Sequence, residues 1–331
     1  MITKILKKVP AGYMLVPLFL ASFIHTFFPE VLTTNLYIDN SFGHAGIDAI
    51  FGMMYVCMGA MLDLRKMVQV IRRGGVLLCA KVGIGMIIGL SVGAIFGMDG
   101  IFGISAFALI CAVTNSNGGL YLSLMIDVGD EVDQVSESIL GLNDGPFFTL
   151  IALGASGLAS ISFSDTIAVL IPLLVGMLIG NLDKELGEFL AKGESFLLFF
   201  MGAALGANIN LMGVFQSGIT GILLGVITVS SGAFICLIDR IVNKRPGYAG
   251  WACASTAGNA VGVPAIVAQI QPSLAPYVAT VTAQVAASCI LTAILVPIVT
   301  SWWVKKHGSP NYPLKAVNMV DVSNGKISDS I

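Results

Sequence analysis

Two clusters of small polar residues stand inside otherwise apolar stretches of the chain. One reads Thr114-Asn115-Ser116-Asn117-Gly118-Gly119, between Val113 and Leu120. The other reads Ser255-Thr256-Ala257-Gly258-Asn259-Ala260-Val261-Gly262-Val263-Pro264. Hydroxyls and amides both donate and accept hydrogen bonds, so such clusters suit a hydroxylated ligand. Gly pairs and Pro also release backbone N–H and C=O groups, which cannot face lipid unsatisfied and must be buried in protein or line a cavity. Where a helix restarts after such a break, its free N–H groups and positive dipole end can receive an anion. Asn117 and Asn259 are residue types expected near an N-cap, and Pro264 suits a first turn. The pattern predicts a carboxylate-binding pocket built on Thr114, Asn115, Ser116, Asn117, Gly118, Gly119, Ser255, Thr256 and Asn259. Two Gly-kinked helices whose polar residues merely bond each other would be the plainer reading.

The segment Leu142-Asn143-Asp144-Gly145-Pro146 puts a carboxyl among aliphatic residues. Ionised carboxylates deep in a bilayer cost several kcal/mol, so they usually face the interior and serve transport. Asp144 is therefore the expected carrier of a coupled proton, with Asn143 beside it against substrate or carboxylate. Gln284 and Ser288 occupy the corresponding place in the second half and could line the same cavity or serve only structural bonding. Glu137 follows an acidic run, Asp127, Asp130, Glu131 and Asp133, that reads most simply as a solvated loop. Lys81 could pair with a carboxylate, attract an anion, or snorkel to the membrane face. The cysteines at 57, 79, 111, 236, 253 and 289 show no metal-ligand spacing and read as small core residues. Without HExxH, GxSxG or a phosphate loop, the expectation is no enzyme, no cofactor, no metal and no nucleic acid.

The elements that must position these residues follow from composition. Of 331 residues, 56% are hydrophobic and 11% charged, against about 25% charged in a soluble domain. Lipid must be the solvent and partner of most of the surface. Ten apolar segments have spanning length, near 11–28, 43–62, 74–97, 101–127, 135–159, 165–181, 192–211, 214–238, 247–270 and 276–303. The first follows Lys4, Lys7 and Lys8 without a cleavage site, so it reads as a span and not as a signal peptide. With both termini cytoplasmic, sixteen of the seventeen Lys and Arg fall on that side, as the positive-inside rule requires. The tail 307–331 lacks apolar periodicity and is expected to be disordered.

The halves also answer each other. Met58-Gly59-Ala60 with Leu62 matches Met201-Gly202-Ala203 with Leu205, Cys111-Ala112 with Thr114 matches Cys253-Ala254 with Thr256, and Thr149 matches Thr292, all at offsets of 142 or 143 residues. Val16-Pro17-Leu18 likewise matches Ile171-Pro172-Leu173. An odd number of spans per half makes the repeat inverted. The expected fold is an all-α membrane protein of ten helices in two five-helix repeats, 1–160 and 161–306, with broken, crossing fourth and ninth helices. Such architecture points to a secondary transporter in a bacterial inner membrane. A sodium-coupled organic-anion symporter, a channel and a membrane receptor remain alternatives at this point.

The chain resembles the 2-keto-3-deoxygluconate permease family along nearly its whole length, from Val9-Pro10-Ala11-Gly12-Tyr13-Met14-Leu15-Val16-Pro17-Leu18 to Leu291-Thr292-Ala293-Ile294-Leu295-Val296-Pro297-Ile298. The most specific stretches are Thr114 to Leu124, Leu158-Ala159-Ser160, Gly180-Asn181-Leu182-Asp183 and Ala265 to Pro272. The resemblance implies a proton symporter for 2-keto-3-deoxygluconate, a sugar acid from pectin and alginate. It also implies kinship in fold with bile-acid symporters and sodium/proton antiporters. The family can carry Glu-Ser-Gly-Pro where this chain has Asn143-Asp144-Gly145-Pro146, so the carboxylate stands one residue away, about 100° around a helix.

Overall fold

The computed structural model describes residues 12–32, 38, 41–42, 44–143, 145–155, 163–207, 211 and 218–314. Among these the backbone is helical, and the only bridge is the isolated pair Ile101 and Ile104. The main helices are α1 (Gly12–Phe27), α2 (His44–Met61), α3 (Leu64–Phe96), α4 (Ala106–Thr114), α5 (Gly118–Val128), α6 (Pro146–Ala155), α7 (Phe163–Leu182), α8 (Lys184–Gly206), α9 (Gly218–Val242), α10 (Tyr248–Ala252), α11 (Val263–Ile270) and α12 (Val278–His307). Helical turns Glu131–Val135 and Glu137–Leu140 and a 3-10 turn Gly141–Asn143 lead into α6, and a 3-10 turn Asn259–Gly262 leads into α11.

The ends of these helices follow from local chemistry. Ser105 caps α4 by accepting from Ala108 N at 3.0 Å, and Asp183 caps α8 by accepting from Leu186 N at 3.0 Å, each satisfying a first-turn donor. Lys305, Lys306 and His307 fill the last turn of α12, where cations complement the dipole. Gly308, at φ 74°, then ends it, a conformation that costs a side chain but not glycine. α3 begins six residues before its apolar span Val70–Phe96, where exposed Arg65 is a good helix former.

Five described helices are long and apolar enough to cross a bilayer: Val70–Phe96, Ala106–Val128, Lys184–Gly206, Gly218–Val242 and Pro272–His307. Glu131–Asn143 with Pro146–Ala155, bent by 57°, makes a sixth if the pair is one broken span. Shorter apolar helices, Val16–Phe27, Ala49–Met61, Leu170–Leu182 and Asn259–Ile270, fall within the first, second, sixth and ninth expected spans. Of the tail expected to be disordered, residues 308–314 fold back, and Tyr312 Oη donates to Asp127 Oδ1 at 2.9 Å; residues 315–331 lie outside the described residues.

Packing divides the helices into two groups. In the first, α2 packs on α7 and α8, and α1 packs on α8. In the second, α9 packs on α12, α10 and α3, and α3 on α4. Buried residues of both groups, among them Phe51 and Leu205 of the first and Phe107 and Val261 of the second, share one apolar core. The α2–α7 contact depends on bare backbone: a Cβ on Gly59 would fall on the Leu173 carbonyl oxygen, and Cβ atoms on Gly176 and Gly180 would fall on the carbonyls of Val56 and Ala60. Small residues one turn apart let membrane helices approach this closely. Cys57, Cys111, Cys236, Cys253 and Cys289 are buried free thiols, as expected of core residues, whereas Cys79 is exposed.

The acidic run is only partly solvated: Asp127 and Glu131 are exposed, but the rest is not. Asp133 is fully buried and binds Arg245 through both carboxylate oxygens. It also accepts from Tyr248 Oη at 2.6 Å and from Arg73 Nη1 at 3.2 Å. Arg73 Nη1 further donates to Asp130 Oδ1 at 2.6 Å, and Asp130 and Asp133 complete a capping box. This cluster joins α3, the turn Glu131–Val135 and the start of α10. Burial pushes the Asp130 carboxyl up, but the Arg73 bond, the Asp133 N–H and the nearby Arg245 together outweigh it and hold the group below its ordinary value.

Three outcomes follow for the purified protein in detergent. Gly176→Val should cost about 1–3 kcal/mol by overpacking, a clear drop in thermal midpoint, while Gly52→Ala should leave it unchanged because nothing lies within 4 Å of that Cβ. Asp133→Ala should cost about 3–5 kcal/mol by removing the bidentate partner of buried Arg245 and leaving it only Asp130 Oδ2 at 3.4 Å as an ion-pair partner. The contribution of Asp130 is present in full above its ordinary pKa and is lost as pH falls through its depressed one. The wild-type midpoint should therefore fall only at distinctly acid pH, and that acid step should be missing in Asp130→Asn.

Candidate functional site

The first break opens because side chains replace the helix ladder. Thr114 Oγ1 donates to Ile110 O at 2.7 Å and Asn115 Nδ2 to Cys111 O at 2.9 Å, so the last carbonyls of α4 are met from within the turn. Asn115 is extended, at φ −88° and ψ 150°. Its Oδ1 accepts from Gly145 N at 3.1 Å, and its Nδ2 also reaches Thr149 Oγ1 at 3.3 Å. Asn143 accepts from Ser116 Oγ at 3.0 Å and donates to Thr114 O at 3.1 Å. Asn117 then caps α5, its Oδ1 accepting from Leu120 N at 2.9 Å.

The second break is tied to the first. Ser255 Oγ accepts from Asn117 N at 2.9 Å, and Thr256 Oγ1 donates to Ala112 O at 3.3 Å. Thr256 N donates to Thr292 Oγ1 at 3.0 Å, and Thr256 Oγ1 lies 2.8 Å from Ser288 Oγ. Lys81 does not snorkel: it is fully buried, and its Nζ donates to Ser255 O at 3.0 Å. Pro264 stands in the first turn of α11, as expected. Asn259 does not cap a helix. It begins the 3-10 turn, its Nδ2 points to Met58 Sδ at 3.8 Å, and its Oδ1 is buried without a partner.

Both breaks border one cavity of about 300 Å³ between the two helix groups. Its polar lining comes from Asn117, Gly118, Gly119, Asn259, Glu137 and Glu194, and its apolar lining largely from α2, α7 and α8. Four of the expected site residues, Asn117, Gly118, Gly119 and Asn259, thus stand at the cavity. Thr114, Asn115, Ser116, Asn143, Ser255 and Thr256 lie buried beside it with protein partners, so they shape the breaks and do not line it. Gln284 is elsewhere: its Nε2 donates to Gly103 O at 2.7 Å and Thr220 Oγ1 at 2.9 Å. Asp144 lies outside the described residues. A larger recess of about 530 Å³ beside Asp127 and Tyr312 is walled by the folded-back chain end and touches neither break.

Glu137 and Glu194 are the lining residues that sequence reading passed over. Glu194 carried a legible signal, since Lys192-Gly193-Glu194 opens an expected span and a carboxylate followed by Phe196-Leu197-Leu198 is costly in lipid. Glu137 was hidden in the acidic run. Its Oε1 lies 2.7 Å from where a Cβ of Gly118 would stand, so its carboxylate rests against the positive start of α5. A Cβ at Gly118 would push that carboxylate aside. A cavity with an N-capped helix start, an idle amide oxygen and two carboxyls can hold a small hydroxylated acid.

Comparison with known proteins agrees with this chemistry. The profile of the 2-keto-3-deoxygluconate permease family matches residues 3–309. The chain is 46% identical over 307 residues to 2-keto-3-deoxygluconate permease 1 of Salmonella typhimurium, covering 92% of this chain and 96% of that one. It is 36% identical over 312 residues to the 2-keto-3-deoxygluconate permease of an Enterobacter species, covering 92% and 93%. It is 36% identical over 306 residues to that of Xanthomonas axonopodis pv. citri, covering 91% and 96%. Permeases are transporters and not enzymes. With a profile match spanning both breaks and the cavity between them, the chain belongs to the 2-keto-3-deoxygluconate permease family.

Proposed function

We propose that this chain takes up 2-keto-3-deoxygluconate together with a proton, by alternating access, across the inner membrane of a bacterium. The observation that carries the reading is the cavity, in which Asn117 caps the start of α5 and the Asn259 Oδ1 stands buried and unpartnered. The substrate is a monoanion bearing hydroxyls. Its carboxylate fits the α5 start, and a hydroxyl fits the idle amide oxygen. Relatives that cover nearly the whole chain are named for that substrate.

The architecture behind this reading is ten spans as two inverted repeats, with both termini cytoplasmic. It is supported by contacts between residues that the repeat pairs. Thr114 lies 3.4 Å from Thr149 by their Oγ1 atoms, and the matching Thr256 donates its N–H to the matching Thr292 Oγ1 at 3.0 Å. α2 packs on α7 as α8 packs on α1, the same pairing with the halves exchanged. One helix group then rocks against the other about a fixed site, opening it to each side in turn. Moving one proton with one monoanion transfers no net charge. On the sequence reading that proton rides on Asp144.

Reconstituted protein should accumulate the sugar acid when the outside is made acidic, without sodium; accumulation that ignores pH and follows sodium would replace the proton with sodium, and a non-saturating current would make it a channel. Asn259→Ala should weaken substrate affinity about tenfold, one hydrogen bond of about 1–1.5 kcal/mol, with little change in thermal midpoint, because the lost oxygen has no protein partner. Asn117→Ala should lower both, since it also removes a cap of about 1 kcal/mol. Wild-type affinity in both variants would move the site elsewhere.

A further inference from the structure

Glu137 and Glu194 reach the same cavity from different helix groups. Glu137 sits on the turn packed against α3 and α5, and Glu194 on α8, which packs on α1 and α2. Neither carboxylate has an ion-pair partner among the described residues. The nearby cations are committed: Lys81 to Ser255 O, Arg73 and Arg245 to Asp130 and Asp133. Both Glu side chains line the one cavity, where the Glu194 charge bears on Glu137 and on Cys57 of α2. Of the remaining titratable groups on the packed elements, Tyr121 of α5 lies towards Asp133 and Asp239. The cavity therefore presents two acids and no available base.

Position makes the pair more than an acidic cluster. The Glu137 carboxylate rests on Gly118, the first residue of α5, where the substrate carboxylate would have to sit. A second feature of the same cavity independently calls for a ligand: Asn259, 6% exposed, holds an oxygen with no partner. An ionised Glu137 and a bound anion at one helix start repel each other strongly in so dry a place. A protonated Glu137 removes that repulsion and becomes a donor.

We propose that Glu137 and Glu194 form the proton-carrying pair of transport, with Glu137 guarding the start of α5 until it is protonated, so that proton and anion are admitted together. This rests on the proton-coupled reading above and assigns its proton. One proton binds a carboxylate oxygen of the pair as one anion enters, and both leave on the other side. Because one carboxyl rides on each helix group, rocking the groups changes their separation and hence how firmly the shared proton is held.

The test uses the full chain in proteoliposomes, with wild type, Glu137→Gln, Glu194→Gln and Asp144→Asn. Wild-type affinity for 2-keto-3-deoxygluconate should weaken by about tenfold per pH unit once the pair ionises, the slope for one linked proton. In Glu137→Gln that slope should flatten, with affinity held at its low-pH value. Accumulation driven by a pH gradient should vanish while counterflow of labelled substrate persists. Glu194→Gln should shift the pH midpoint of affinity, and Asp144→Asn should keep the slope. If wild type itself shows no pH-driven accumulation, the proton-coupled reading falls. If wild type does and both Glu variants retain its slope, only the assignment falls. A second measurement needs no variant: infrared difference spectra of wild type on substrate addition should show a protonated-carboxyl band that shifts with isotope-labelled glutamate. A band that shifts with labelled aspartate instead would overturn the pair.

Discussion

Inside a bilayer no water is available to satisfy a backbone group that leaves a helix, and each orphan costs several kcal/mol. Two apolar stretches of this chain leave the helix, between Thr114 and Gly118 and between Ala252 and Asn259, and their released groups are answered by protein. The answer is mutual. Asn117 N is taken by Ser255 Oγ, Ala112 O by Thr256 Oγ1, and Ser255 O by Lys81 Nζ. Thr149 and Thr292, from the helices behind, serve the two breaks in turn. Each break thus meets part of what the other releases.

That constraint explains why so few of the polar residues at the breaks reach the cavity. A side chain that ties a broken ladder is fully occupied, as Asn115 and Asn143 are with their several partners. Only groups beyond the ladder's needs are free for a ligand. These are the N–H groups that open α5, the Asn259 oxygen, and the two glutamates. The break thus has a buried frame, rigid because it is saturated, and a small edge left over for the proposed ligand.

Much of this was legible in the residues. The breaks at Thr114–Gly119 and Ser255–Pro264, the cap at Asn117 and the buried cysteines follow from polarity, glycine and proline in apolar runs. The threonine pairs came from the repeat alone. What escaped was anything set by which partner a side chain finds. Asn143 and Thr256 look like ligand groups until their partners are known. Gln284 was placed by symmetry, but Thr220 and Gly103 claim it. The acidic run looked solvated because sequence does not reveal that Arg73 and Arg245, 57 and 112 residues from their partners, converge on Asp130 and Asp133. Glu137 was lost in that run, although it points the other way.

The placement of charge around the breaks gives the site its direction. Lys81 is the buried cation at the crossing, yet it faces a carbonyl of the second break and not the cavity, so it offsets the negative end left where α10 stops. The ligand's side receives no full positive charge. It has the partial charge of one helix start, and against it two carboxyls. An anion meeting that surface gains roughly half a charge of attraction from the dipole and faces up to two charges of repulsion. The balance reverses only when the acids are neutral. With Lys81 turned to Ser255 O, the proposed selectivity for an acid rests on what is protonated, not on a fixed positive residue.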